Sequence, residues 1–123
     1  MKNLNQKGFT LIELIIIMVI LGVLAAVAVP RLGNTINSSE ISSEESILGS
    51  LRSAVEVYAV DQVVNNSTKS YPMNPFDALD NKSKNDLFGK GWGYDDMNSK
   101  VYHQRNDGNY LDWSYNSSTG EIN

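Results

Sequence analysis

The sequence predicts an α+β protein in which a long N-terminal helix, membrane-spanning in its first half, packs on a small antiparallel β-meander of three to four strands. Three patterns lead there. Phe9 to Val29 is an almost uninterrupted apolar run, Ile47, Leu51, Ala54, Val55 and Tyr58 recur at spacings of three and four, and from Gly91 onward large side chains alternate with small or polar ones. The first pattern supplies the roughly 20 residues a helix needs to cross a bilayer. The second is one face of an amphipathic helix, and the third has the period of half-buried strands.

The first two patterns join into one helix from about Phe9 to about Val63. Its middle is weak, because Pro30, Gly33, Asn34 and the stretch Ser38 to Ser43 are poor helix formers. Pro30 also removes one backbone hydrogen bond, so a kink or a locally meltable segment is expected around Pro30 and Gly33. Turn formers from Asn65 to Ser70 and on through Pro72 and Pro75 end the helix in a surface loop, which leads to a short turn or helix at Asp77 to Leu87. The sequons at Asn65, Asn66 and Asn116 are read as chance, since Asn and Ser are abundant here.

The strands follow from the period of two. Trp92 and Tyr94 share one face of the first, Val101 and His103 one face of the second, and Leu111, Trp113 and Tyr115 one face of the third. Asp95 to Ser99 and Asn106-Asp107-Gly108-Asn109 are hairpin signals, and Asn116 to Gly120 leads to a last short strand at Glu121-Ile122. A meander with one apolar face needs a cover, and the stripe from Ile47 to Tyr58 is the long helical surface available.

Within the apolar N-terminal run one charge stands out. A carboxylate costs roughly 2.5–3.5 kcal/mol at the bilayer centre and less toward its ends, so Glu13 calls for a partner. Lys2 and Lys7 precede the run, which puts Met1 to Gly8 on the cytoplasmic side and everything after Pro30 outside. The motif Lys7-Gly8-Phe9-Thr10-Leu11-Ile12-Glu13, followed by uncharged Leu14 to Val29, resembles the type IV prepilin signature of type IV pilins and type II secretion pseudopilins.

That resemblance implies a set of expectations. Prepilin peptidase cuts between Gly8 and Phe9 and N-methylates Phe9, and Glu13 then neutralises the amine of a neighbouring subunit as the filament grows. The chain divides into a leader at 1–8, a transmembrane and filament-core helix at 9–30, and an outward-facing globular domain at 31–123 that includes the second half of the helix. Partners are further copies in a homopolymer or mixed filament, the peptidase, an inner-membrane assembly platform and the membrane. The subunit is a single-pass inner-membrane protein before assembly and part of a surface or periplasm-spanning filament afterwards. Tyr102 and Tyr110 are the aromatics expected to point away from the helix and meet a neighbouring subunit, and Pro30 marks where the helix loosens in the fibre. The fibre's use, in adhesion, motility, DNA uptake or protein secretion, stays open, as does the choice between pilus subunit, minor pilin and pseudopilin.

Two other readings of the same residues stand beside it. Ala26-Val27-Ala28 forms a small-residue cleavage site for an ordinary signal peptide, releasing a secreted binding domain that starts at Val29. A plain membrane anchor with an incidental Glu13, carrying a binding domain and no filament, is the other.

Composition narrows the function further. Ten Lys and Arg stand against 14 Asp and Glu, for a net charge of −4. Loss of Lys2 and Lys7 with the leader makes the exported part more acidic, and its scattered cations argue against nucleic-acid binding. The absence of cysteine excludes disulfides, zinc-thiolate sites and thiol nucleophiles. It also departs from the many pilins that close their C-terminal region with a disulfide. His103, the single histidine, has no serine or acid at motif spacing, and the pairs Glu44-Glu45 and Asp95-Asp96 read as solvated charges, so no enzyme is expected. Some cysteine-free pseudopilins use a C-terminal calcium site instead; the candidate oxygens here are Asp95, Asp96, Asn98, Asp107, Asn109 and Asp112, without EF-hand spacing. No other cofactor is expected. Sheet packing accounts for the alternating aromatics more simply than a sugar- or base-stacking platform.

Overall fold

The computed structural model describes residues 8–123; Lys2 and Lys7, and with them most of the expected leader, lie outside the described residues. The element order is α1 (Leu11–Asn66), a 3-10 turn (Pro75–Ala78), α2 (Asn81–Gly89), β1 (Trp92–Asp95), β2 (Lys100–Gln104), β3 (Tyr110–Asn116) and β4 (Glu121–Ile122). The chain divides into two compact units, one ending at Ser39 and one comprising Glu40–Asn123.

The first unit is helical from Leu11 onward, and its side chains are exposed throughout. It holds an apolar window long enough to cross a membrane, none of it buried in the protein. Such a helix satisfies its own backbone and exposes only hydrocarbon, which suits a lipid surround or other apolar helices. The helix continues through Pro30 and Gly33. Just beyond, Thr35 donates its hydroxyl to the Arg31 carbonyl (3.0 Å), Ser38 to Asn34 (3.0 Å) and Ser39 to Thr35 (2.9 Å). These back-bonds satisfy the hydroxyls but compete with the helix's own ladder.

The second unit is a helix laid on a sheet. Leu48, Leu51, Val55 and Ala59 of α1 are buried, and with Phe76, Trp92, Val101, Tyr115 and Ile122 they make the core. The four strands pair antiparallel in the order β1-β2-β3-β4, the predicted meander. Its register sets Trp92 opposite His103, Tyr94 opposite Val101, and Val101 opposite Trp113, so the inward-facing residues expected from the alternation do share one face. Asp95 closes the first hairpin by accepting from the Met97 and Asn98 amides (3.0 and 3.2 Å), and Asp107 closes the second by accepting from the Asn109 amide (2.9 Å). Gly120 has φ +73, and a methyl group there would meet the Tyr71 ring at 2.4 Å, so the turn into β4 requires glycine.

Two ties fix the periphery. The Arg52 guanidinium donates twice to the Ile122 carbonyl (3.1 and 2.9 Å), holding β4 to α1, and the Tyr115 hydroxyl donates to the Pro72 carbonyl (2.6 Å), holding the long loop to β3. The helix thus ends three residues later than expected. The segment predicted at Asp77 to Leu87 resolves into the 3-10 turn, capped by Asn74 (3.0 Å from the Phe76 amide), followed by α2.

Candidate functional site: the helix start and a buried carboxylate

At the beginning of α1, Gly8, Phe9 and Thr10 are outside the helix, and Phe9 is 82% exposed. Thr10 is the N-cap. Its carbonyl accepts the first helical bond from the Leu14 amide (3.2 Å), and its hydroxyl accepts from the Glu13 amide (3.3 Å). In return the Glu13 carboxylate accepts from the Thr10 amide (3.3 Å). This is a reciprocal capping box, with Phe9 and Leu14 at the positions of a hydrophobic staple. The motif Phe9-Thr10-Leu11-Ile12-Glu13 is therefore a helix-start module as well as a charge in an apolar run. The Thr10-x-x-Glu13 spacing carries that signal in the sequence, beside the charge of Glu13.

The geometry has two chemical consequences. The Gly8–Phe9 peptide bond lies in exposed, non-helical backbone just outside the cap. Glu13 spends one oxygen on a neutral amide at a long 3.3 Å, which leaves acceptor capacity for a cation.

A second charged constellation lies in the globular unit. Glu44, on α1, is only 3% exposed. The Arg105 guanidinium donates to both its oxygens, Nε to Oε1 at 2.9 Å and Nη2 to Oε2 at 2.6 Å, and His103 Nδ1 is 2.7 Å from Oε1. The His103 ring stacks on Trp92 (4.6 Å, 18°), which stacks on Trp113 (5.6 Å, 18°). One turn earlier, Glu40 accepts from the Asn106 amide (3.0 Å). The bond to Arg105 holds the Glu44 carboxyl below its ordinary range; burial opposes this, and the bond to His103 adds to it. Glu44 in turn raises Arg105.

This corrects the reading of Glu44-Glu45 as solvated helix-face charges: Glu45 is exposed, whereas Glu44 is the acid partner that His103 lacked at motif spacing. The partner is on another element, 59 positions away, where no local motif could reveal it. The cluster fastens the β2–β3 hairpin to α1.

Most of the calcium candidates have local duties. Asp95 and Asp107 close separate turns, Asp112 pairs with Lys100 across β2 and β3, and Asp96 is exposed. Among the described residues, no three His, Asp or Glu side chains are gathered so as to hold a metal ion. Tyr102 and Tyr110 face each other edge-on (6.1 Å), with Tyr110 well exposed.

A family model described as the prokaryotic N-terminal methylation motif matches residues 3–29. The N-terminal segment is thus of the prepilin type, the kind found in type IV pilins and type II secretion pseudopilins. The chain is 49% identical over 61 residues to the type IV major fimbrial protein FimA of Dichelobacter nodosus, covering 50% of this chain and 38% of that protein. It is 42% identical over 59 residues to the fimbrial protein EcpC of Eikenella corrodens, covering 48% of this chain and 39% of that protein. It is 29% identical over 101 residues to the type II secretion system core protein G of Pseudomonas aeruginosa, covering 82% of this chain and 68% of that protein. The chain therefore spans well under half the length of the fimbrial relatives it matches. No solved structure matches it significantly.

Proposed function

We propose that the protein is a structural subunit of a type IV pilus or pilus-like filament, with no enzymatic activity of its own. It is cut between Gly8 and Phe9, methylated on the Phe9 amine, and held in the inner membrane by its apolar helix until it polymerises. The carrying observation is the prepilin motif coinciding with a helix start whose Glu13 carboxylate, among the described residues, accepts from a neutral amide. In an apolar surround, an ammonium from a neighbouring subunit is a stronger partner than that amide, and the exchange rewards correct axial register. Pro30, Gly33 and the hydroxyl-rich turns after them form a segment that loosens as the fibre stretches.

A second reading has its own support. Of the relatives named above, the secretion core protein is the one whose match extends over most of this chain. A subunit of a secretion pseudopilus accommodates that better than a major pilin.

The test is the intact mass and N-terminal residue of the protein recovered from its native membrane or sheared surface fraction. N-methylated Phe9 supports the filament reading. A start at Val29 or an intact Met1 rejects processing at Gly8. Recovery from sheared surface material points to a pilus, whereas export defects on deletion without surface fibres point to the pseudopilus.

A further inference from the structure

From Glu40 to Ser46, α1 sends no apolar side chain into the core. Ile41 is 47% exposed, Ser42, Ser43, Glu45 and Ser46 lie in water, and the fully buried apolar anchors begin only at Leu48. Ser42, Ser43 and Ser46 are also weak support for a helix left to itself. Two glutamates one turn apart supply what is missing, and both grip the same short piece of the β2–β3 hairpin. Glu40 accepts from the Asn106 amide at 3.0 Å, and Glu44 accepts the two-point Arg105 fork with His103 Nδ1 2.7 Å away. The hairpin end is itself braced. The Arg105 amide donates to the Asn109 carbonyl (2.8 Å), the Gly108 amide donates to the Arg105 carbonyl (2.9 Å), and the His103 ring stacks on Trp92 of the core.

We infer that this grip is a stop on the opening of α1: the turns from Arg31 to Ser39 open on their own, and opening ends at Glu40 because the turns that follow are tied to the hairpin. For the opening to travel further, bonds between residues distant in sequence must break, and the Arg105–Glu44 pair is of the strong, charge-assisted kind. The stop also sets a reach. Passing from helix at about 1.5 Å per residue to extended chain at about 3.3 Å lengthens residues 31–39 by about 16 Å, and the grip holds the extension there. As a limit on the stretch of a fibre the device rests on the filament reading, whereas as a boundary within the single chain it stands apart from it.

Hydrogen exchange of the full chain in detergent tests the boundary without a filament. The amides of residues 44–47 donate to the carbonyls of residues 40–43, so they report whether the gripped turns stay closed. In the wild type their protection is expected to lie within about threefold of that of residues 48–59. Arg105→Gln is expected to lower it about tenfold relative to residues 48–59. Arg52→Gln, which cuts a tie of α1 to β4 instead, should change both groups alike. Should Arg105→Gln fail to fold, Glu40→Ala keeps the buried pair and carries the same test, with an expected relative loss of about threefold. Wild-type amides at 44–47 as fast as those at 31–39, or a ratio of 44–47 to 48–59 that no variant of the grip moves, overturns the stop and leaves the filament reading untouched. With the boundary in place, a wild-type protein that forms no filament overturns the role in a fibre and leaves the stop.

Discussion

Glu44 shows how one side chain joins local sequence to tertiary stability. It is buried, and both its oxygens are engaged by cationic or titratable donors. Glu44→Gln keeps the shape but loses the charge-assisted bonds, and is expected to lower the unfolding free energy of the full chain in detergent by about 2 kcal/mol in urea titrations. The pH dependence has a definite sign. The folded carboxyl is depressed below its ordinary 4.5, so its contribution is complete above that value and disappears as pH falls through the folded one. Acid unfolding of the wild type should therefore steepen below about pH 4.5, and Glu44→Gln should flatten that limb.

Glu13 separates into two roles at the same scale. Glu13→Ala should abolish filament assembly while the protein stays inserted. Glu13→Gln keeps an acceptor for the Thr10 amide and loses the charge. If pairing with a neighbour's ammonium is what assembly needs, Gln should fail as completely as Ala in a sheared-filament assay; Gln filaments at wild-type yield would show that capping is the requirement.

At the scale of elements, α1 carries unequal stretches on one helix. From Leu48 to Ala59 it is anchored by buried side chains, whereas the turns from Arg31 to Ser39 are exposed and their hydroxyls bond to carbonyls four residues back. Local opening should follow that difference. Backbone amides of residues 31–39 are expected to exchange at least tenfold faster than those of residues 48–59 by hydrogen-exchange mass spectrometry, and equal protection would remove the meltable segment. Leu51→Ala, by contrast, opens a cavity at the centre of the helix-to-sheet core and should cost about 2–5 kcal/mol in the same urea titration.

For the whole molecule, stability without disulfides rests on one small core, the Glu44 cluster and the ties of Arg52 and Tyr115. Burial pushes the Tyr115 hydroxyl up to about 12, in keeping with its place under the loop. Asp95, Asp107 and Asp112, three of the candidate calcium ligands, are engaged in separate turns and a cross-strand pair. Chelation with EDTA is therefore expected to leave the melting temperature within about 2 °C of its value with millimolar calcium, whereas a structural site would show a larger fall.

The elements themselves were legible in the sequence because their signals are local. An apolar run, a spacing of three and four, a period of two and Asn-Asp-Gly turns each depend on neighbours within a few residues, and α1 and the four strands lie where those patterns put them. The N-terminal methylation motif is equally local, a short run of consecutive residues, and the proposed function leans most heavily on it. Only the tertiary structure decided what depends on residues distant in sequence. Glu44 became a buried ion-pair partner because the register of β2 brings His103 and Arg105 over α1. Val57, Val60 and Val64 are apolar in the sequence, but that they face solvent instead of the core follows from which helix face the sheet claimed: hydrophobicity marks residues as candidates for burial, and packing decides which face is buried.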